Sequence, residues 1–169
     1  LWWQTALVIG LADGLPRCQN PEIPKTLAAL LQSPPESLKE SLQAAAKVVQ
    51  VAAETAVDNH HSDADRVAAM GLMSHLPPQA LTTALETLLT PGESTDCQRA
   101  AIDAARRSGR AELSEIVLKH WDQLKPQTRS AALDLLLLRK DSVALLLKQM
   151  AAGIISPSAM SIDQRLILL

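Results

Sequence analysis

Apolar residues recur along most of this chain at steps of three and four, the spacing of one face of a helix. The longest run places Leu38, Leu42, Ala45, Ala46, Val49, Ala52, Ala53, Ala56 and Val57 in one stripe about six turns long. It reads as a helix opened by Ser33-Pro34-Pro35-Glu36, a capping box with proline in the first turn. It closes at Asp58-Asn59-His60-His61. Ser62 then caps a helix whose third position is Asp65, a charge that suits the N-terminal dipole. Pro77-Pro78 opens the next, carried by Leu81, Ala84, Leu85, Leu88 and Leu89. After the Pro91-Gly92 turn, Thr95-x-x-Gln98 reads as a second capping box. Gly109 parts that helix from its successor, Pro126 opens another, and Lys140-Asp141 divides that one from the next. Pro16, Pro21 and Pro24, with Gly14 and Asn20, mark a loop.

Three of these segments align without gaps. Arg66-Val67-Ala68-Ala69-Met70, Gln98-Arg99-Ala100-Ala101-Ile102 and Arg129-Ser130-Ala131-Ala132-Leu133 start 32 and then 31 residues apart. Each has a long polar residue, a variable one, two alanines and a large apolar residue. The alternate helices repeat as well. Leu81, Leu85 and Leu89 map onto Leu113, Val117 and Trp121 at a step of 32, and then onto Val143, Leu147 and Ala151 at a step of 30. Two helices per period of about 30 residues is the mark of an α-solenoid, in which stacked pairs bury stripes that no pair buries alone. The expected fold is therefore all-α, a HEAT/armadillo-like solenoid of nine to ten antiparallel helices in a single repeat domain spanning 1–169. Residues 1–61 hold the N-terminal helices, 62–92, 93–124 and 125–153 the repeats, and 154–169 the start of a further helix. Arg66, Gln98, Arg129, the alanine pairs and Trp121 are its repeat-defining residues.

Composition agrees with helix. Leu and Ala make up about a third of the chain, and Tyr and Phe are absent. A hydrophobic fraction of 47% excludes wholesale disorder. A formal net charge of -2 gives no basic field for nucleic acid. No apolar run reaches the ~18 residues of a membrane span, so direct membrane insertion is not expected. The segment from Leu1 to Ala12 lacks a basic leader and meets Asp13 at once, and it reads as a buried helix. Leu1 and the apolar Leu166-Ile167-Leu168-Leu169 read as cuts through a longer protein, with Trp2 or Trp3 packing on what precedes.

Candidate chemistry is sparse. Cys18 and Cys97 form no Cys-x-x-Cys, and their pairing is open. Neither Gly-x-Ser-x-Gly nor a phosphate-binding glycine loop occurs. His60 and His61, near Asp58, Asp63 and Asp65, have the residue types of a metal site, but adjacent histidines do not share a helix face. His75 and His120 have no carboxylate at a ligand spacing in sequence. Pairs such as Asp63/Asp65 and Glu112/Glu115 read as first-turn helix charges. No catalytic residue, metal or cofactor is assigned, and the chain is expected not to be an enzyme. Arg106, Arg107 and Arg110 form the one basic cluster, a candidate docking patch for an acidic partner.

Several stretches together resemble a known family. They are Leu11-Ala12-Asp13-Gly14-Leu15, Ala53 through Asp58, Cys97-Gln98-Arg99-Ala100-Ala101, and His120-Trp121-Asp122-Gln123-Leu124-Lys125-Pro126-Gln127-Thr128-Arg129. Arg139, Leu145-Leu146 and Gly153-Ile154 follow. Together they resemble the HEAT-repeat region of planctomycete-type putative membrane-bound dehydrogenases of bacteria. That resemblance implies a β-propeller before this region, a c-type haem domain after it, and a periplasmic or extracytoplasmic location. It implies a non-catalytic scaffold whose partners are proteins or neighbouring domains of the same chain. A free-standing protein-binding adaptor is the alternative, and a small-molecule enzyme the third.

Overall fold

The computed structural model describes residues 2–168, with the side chain of Trp2 outside the description. The described residues are all-helical, with no strand. In chain order the helices are α1 (Trp2–Gly14), α2 (Leu27–Gln32), α3 (Lys39–Val57), α4 (Asp63–Met73), α5 (Pro78–Leu88), α6 (Thr95–Ser108), α7 (Leu113–Lys119), α8 (Pro126–Leu136), α9 (Lys140–Ala151) and α10 (Ile162–Leu166). Short 3-10 turns stand at Leu15–Arg17, Glu36–Leu38, Trp121–Gln123 and Pro157–Ala159. Contacts divide the chain into two compact units, Leu1–Leu81 and Thr82–Leu169.

In the first unit α3 packs along α4, and α1 packs on both. The core is built from Val8, Ala12, Leu42, Ala52, Ala56, Ala69, Met70 and Leu72. Where α1 crosses α4, a side-chain carbon on Gly71 would stand 3.0 Å from the end of Ile9. The missing side chain lets α1 come that close. α1 departs from the expected buried helix. Val8 and Ala12 are inside, but Trp3, Leu7 and Leu11 lie on the outer face, Leu7 with 64% of its surface exposed. An apolar residue at nearly every position hid which side faced the neighbours.

In the second unit α6 packs on α8, α7 on α9, and α8 also touches α7 and α9. α6 and α7 thus each meet the helix two places along. The three aligned helices share one burial pattern. The second alanine of each pair is buried (Ala69, Ala101, Ala132), as is the large residue after it (Met70, Ile102, Leu133). The first alanines, Ala68, Ala100 and Ala131, are exposed or half-buried. The pattern continues through Leu72, Ala104 and Leu135, and through Met73, Ala105 and Leu136.

The alternate helices follow for two repeats only. Leu81, Leu85, Leu89, Leu113, Val117 and Trp121 are all buried. In α9 the expected stripe fails, because Leu147 and Ala151 are exposed and Val143 is half-buried. Ser142 and Leu146 are buried instead, a step of 29 from Leu113 and Val117. α8 ends at Leu136, three residues short of the place that the 31-residue step from the end of α6 at Ser108 reaches. Residues 137–139 join it to α9, where residues 109–112 join α6 to α7. The shifted register brings the Ser142 and Ser114 hydroxyls to 2.7 Å in the buried α7–α9 seam.

Two caps differ from expectation. Ser33 ends α2, and Glu36 lies in a 3-10 turn, so α3 starts at Lys39 with no side-chain cap. The cap of α6 is Ser94, whose hydroxyl accepts from the Cys97 amide at 3.2 Å. Gln98 is thereby freed for another role. Its amide nitrogen donates to the Thr90 carbonyl at 2.8 Å and the Gln123 carbonyl at 3.4 Å. Its oxygen accepts from the Lys125 amide at 3.2 Å. The Ser62 cap and the helix starts at Pro78 and Pro126 are as read from the sequence. Gly109 ends α6 with φ 65, a left-handed conformation that glycine adopts without cost. Lys140 and Asp141 lie in the first turn of α9, whose break from α8 comes just before them at Arg139.

Three substitutions test this packing. Ala101→Phe and Ala132→Phe should each overpack a fully buried position and destabilise by about 1–3 kcal/mol in urea melts. Parent-like melting of both would disprove the register. Gln98→Leu should cost about 2–3 kcal/mol, because it leaves two carbonyls and one amide of the inter-helix loops without their partner. A loss below half a kilocalorie (~0.5 kcal/mol) would show that water replaces the amide.

Candidate functional site

The polar residues heading the three aligned segments serve different local purposes. Arg66 is buried, with its guanidinium 3.7 Å from Asp63. Gln98 braces two loops. Arg129 lies over the Trp121 ring, 5.5 Å from its centroid, a cation–π contact beside a buried indole. These are structural positions.

The histidines do not converge. His60 and His61 both lean on Asp58 at the turn after α3. The Asp58 carboxylate accepts from the His60 backbone amide at 2.9 Å and meets His60 Nδ1 at 2.8 Å, with His61 Nε2 at 3.8 Å. Those hydrogen bonds, the backbone one foremost, hold the Asp58 carboxyl below its usual value. His75 does meet a carboxylate, Asp13 of α1 at 3.4 Å. Sequence spacing could not show this, because the two residues belong to different helices. His120 is buried, with Nδ1 3.4 Å from the Gln123 side-chain oxygen. Among the described residues, no group of three or more His, Cys, Asp or Glu is placed to hold a metal ion. Neither cysteine is in a disulfide; Cys97 is buried and Cys18 half-buried.

The arginine cluster gains geometry. Arg106 and Arg107 end α6, where cations suit the carbonyl end of the helix. Gly109 then turns the chain, and Arg110 follows half-buried. A depression of about 190 Å³ opens at this corner, lined by Arg106, Gly109, Arg110, Ser114, Ala105, Leu135, Leu138 and Arg139. Arg107 lies outside the lining. Arg106 also reaches Asp103, one turn back, at 3.1 Å. Arg139 donates from Nη1 to the Gly109 carbonyl, which fixes one of its guanidinium nitrogens on the rim.

Sequence reasoning missed Arg139 as a member of this site. A signal for it existed. At the repeat step of 31, Arg139 corresponds to Ser108, so it occupies the same corner one repeat later. Chemically, three guanidiniums around one hollow can bind carboxylate or phosphate through paired N–H donors. No helix of the described residues is long and apolar enough to cross a membrane. Comparisons with family models, with curated proteins and with solved structures give no match.

The Asp58 turn yields a pH test. A carboxyl held low in the folded state contributes stability above its ordinary value of 3.8, and loses it as pH falls through the lowered folded value. In a carbon-detected NMR titration, Asp58 should therefore titrate below its ordinary value of 3.8. His60→Ala should raise Asp58 only part of the way, since the backbone amide bond remains. A full return to the ordinary value would show that the imidazole, and not the amide, carries the effect.

Proposed function

We propose that this chain is a non-catalytic helical-repeat scaffold, built as a HEAT/armadillo-like solenoid and acting through the surface it presents. The observation that carries the reading is the packing in the second unit, where α6 lies on α8 and α7 on α9. Equivalent helices pack on each other there, as stacked repeats require. The burial pattern common to α4, α6 and α8 supports the same reading. Such a stack offers rows of helix ends and inter-helix corners as binding surface, and its residues supply position, not reaction.

The family resemblance gives the scaffold a context. In that context the chain holds a redox domain and a c-type haem domain of one extracytoplasmic protein in a fixed relation. The arginine-lined corner favours the second reading, a free-standing adaptor that docks an acidic partner. Reading the open frame on both sides of the chain separates them. The redox context predicts a β-rich domain upstream and a Cys-x-x-Cys-His attachment motif downstream. A frame with neither removes the dehydrogenase context and leaves the adaptor.

A further inference from the structure

The arginine-lined depression does not stand alone. A second, larger hollow of about 410 Å³ shares Leu138 and Arg139 with it. This one is lined by Leu137, Leu138, Arg139, Lys140, Val143, Leu147, Ile167 and Leu168. Leu138, Leu147 and Ile167 are 59%, 47% and 62% exposed, a high value for large aliphatic side chains grouped on one face. The two hollows together make one groove, cationic at the α6 end and apolar at the α9 end.

Charge decides what fits it. The whole chain is net negative, yet neither hollow has an Asp or Glu in its lining. Asp103, which pairs with Arg106, lies outside the lining. Four cations, Arg106, Arg110, Arg139 and Lys140, thus line the two hollows, and no acid is among the lining residues. A nucleic-acid strand is a poor match, because no aromatic side chain lines the groove for a base to stack on, and half of it is aliphatic. A free phosphate would use the cationic end and leave the aliphatic end bare.

We infer that this groove docks a peptide segment of a protein partner in which an Asp or Glu lies near a large aliphatic or aromatic residue. The carboxylate enters the Arg106–Arg110–Arg139 hollow and takes paired N–H donors there. The apolar side chain covers Leu138, Leu147 and Ile167. Arg139 positions the boundary between the two halves, since its bond to the Gly109 carbonyl holds it where both hollows meet. The inference deepens the scaffold reading and rests on it, by giving the chemistry of the partner.

The test uses the full chain as bait for a phage-displayed library of random peptides. Enriched peptides should carry Asp or Glu within three or four residues of Leu, Ile, Met or Phe. Synthetic copies should bind Arg106→Gln and Arg139→Gln about tenfold more weakly than the parent, one charge-assisted contact each. Leu147→Ser should weaken them comparably, while Arg107→Gln, outside the lining, should leave binding unchanged. Arg106 and Leu147 are exposed, so those variants keep the fold, and a parent-like helix melt verifies it. Failure to enrich any peptide overturns the inference. So does enrichment without an acid bias, or an equal loss in Arg107→Gln, which would mean diffuse attraction. Pyrophosphate bound tightly with no peptide enriched would make the hollow a small-anion site and also overturn it. A frame lacking redox domains, alongside acidic peptides enriched as described, would sink the dehydrogenase context and leave the groove standing.

Discussion

The buried amide of Gln98 joins three backbone groups that belong to two different loops. Thr90 stands just before α6, and Gln123 and Lys125 just before α8. Each of those groups is obliged to find a partner once the helices close over it. One side chain meets all three demands, and so fixes where α6 starts relative to where α8 starts. The helix-on-helix contact follows from that anchoring. With the starts aligned, Ala101 and Ala132 come to equivalent inward positions, and the larger Ile102 and Leu133 fill the core beside them. A second glutamine repeats the device further on. Gln164 of α10 donates to the Ser130 carbonyl and to the Asp134 carboxylate, the latter at 2.6 Å. Position six of the repeat is Gly71 in α4 and Asp134 in α8. It is bare where α1 presses close, and an acceptor where α10 needs one.

Much of this was legible in the chain itself. Helix content follows from composition, and the proline starts at Pro78 and Pro126 from the fixed φ of that residue. The inward alanines followed from the 32- and 31-residue steps. What sequence did not carry was anything set by two elements at once. Ser94, not Thr95, caps α6, and Gln98 is engaged by loops eight and more than twenty residues away. The buried stripe of α9 stands one residue from the expected one, with Ser142 and Leu146 inside in place of Val143 and Leu147. The exposed face of α1 was hidden by a helix apolar on every side, where periodicity has no contrast to read. The same limit applied to the site. Arg106, Arg107 and Arg110 are neighbours in sequence and were evident, but Arg139 joins Arg106 and Arg110 only through the packing of α6 on α8.

Helix-on-helix packing links the architecture to the use proposed for it. When equivalent helices lie side by side, equivalent corners do too, and a basic residue at each corner builds a cationic row without any basic excess in the whole chain. The α6–α7 corner supplies Arg106 and Arg110, and the α8–α9 corner supplies Arg139. The shifted register of α9 leaves Leu147 exposed, where it lines the apolar part of the groove.

The claim beneath all of this is that residues 98–128 are one repeat in a stack. Duplicating them tests it most directly, with a second copy inserted between Thr128 and Arg129 so that the new Gln98 follows a residue equivalent to Cys97. A stack accepts another unit, since each repeat contacts chiefly its neighbours. Circular dichroism should then show added helix in proportion to the inserted residues. It should also show one cooperative transition at or above the parent melting temperature. A lengthened chain that gains no helix, or that melts without cooperativity, would contradict the account.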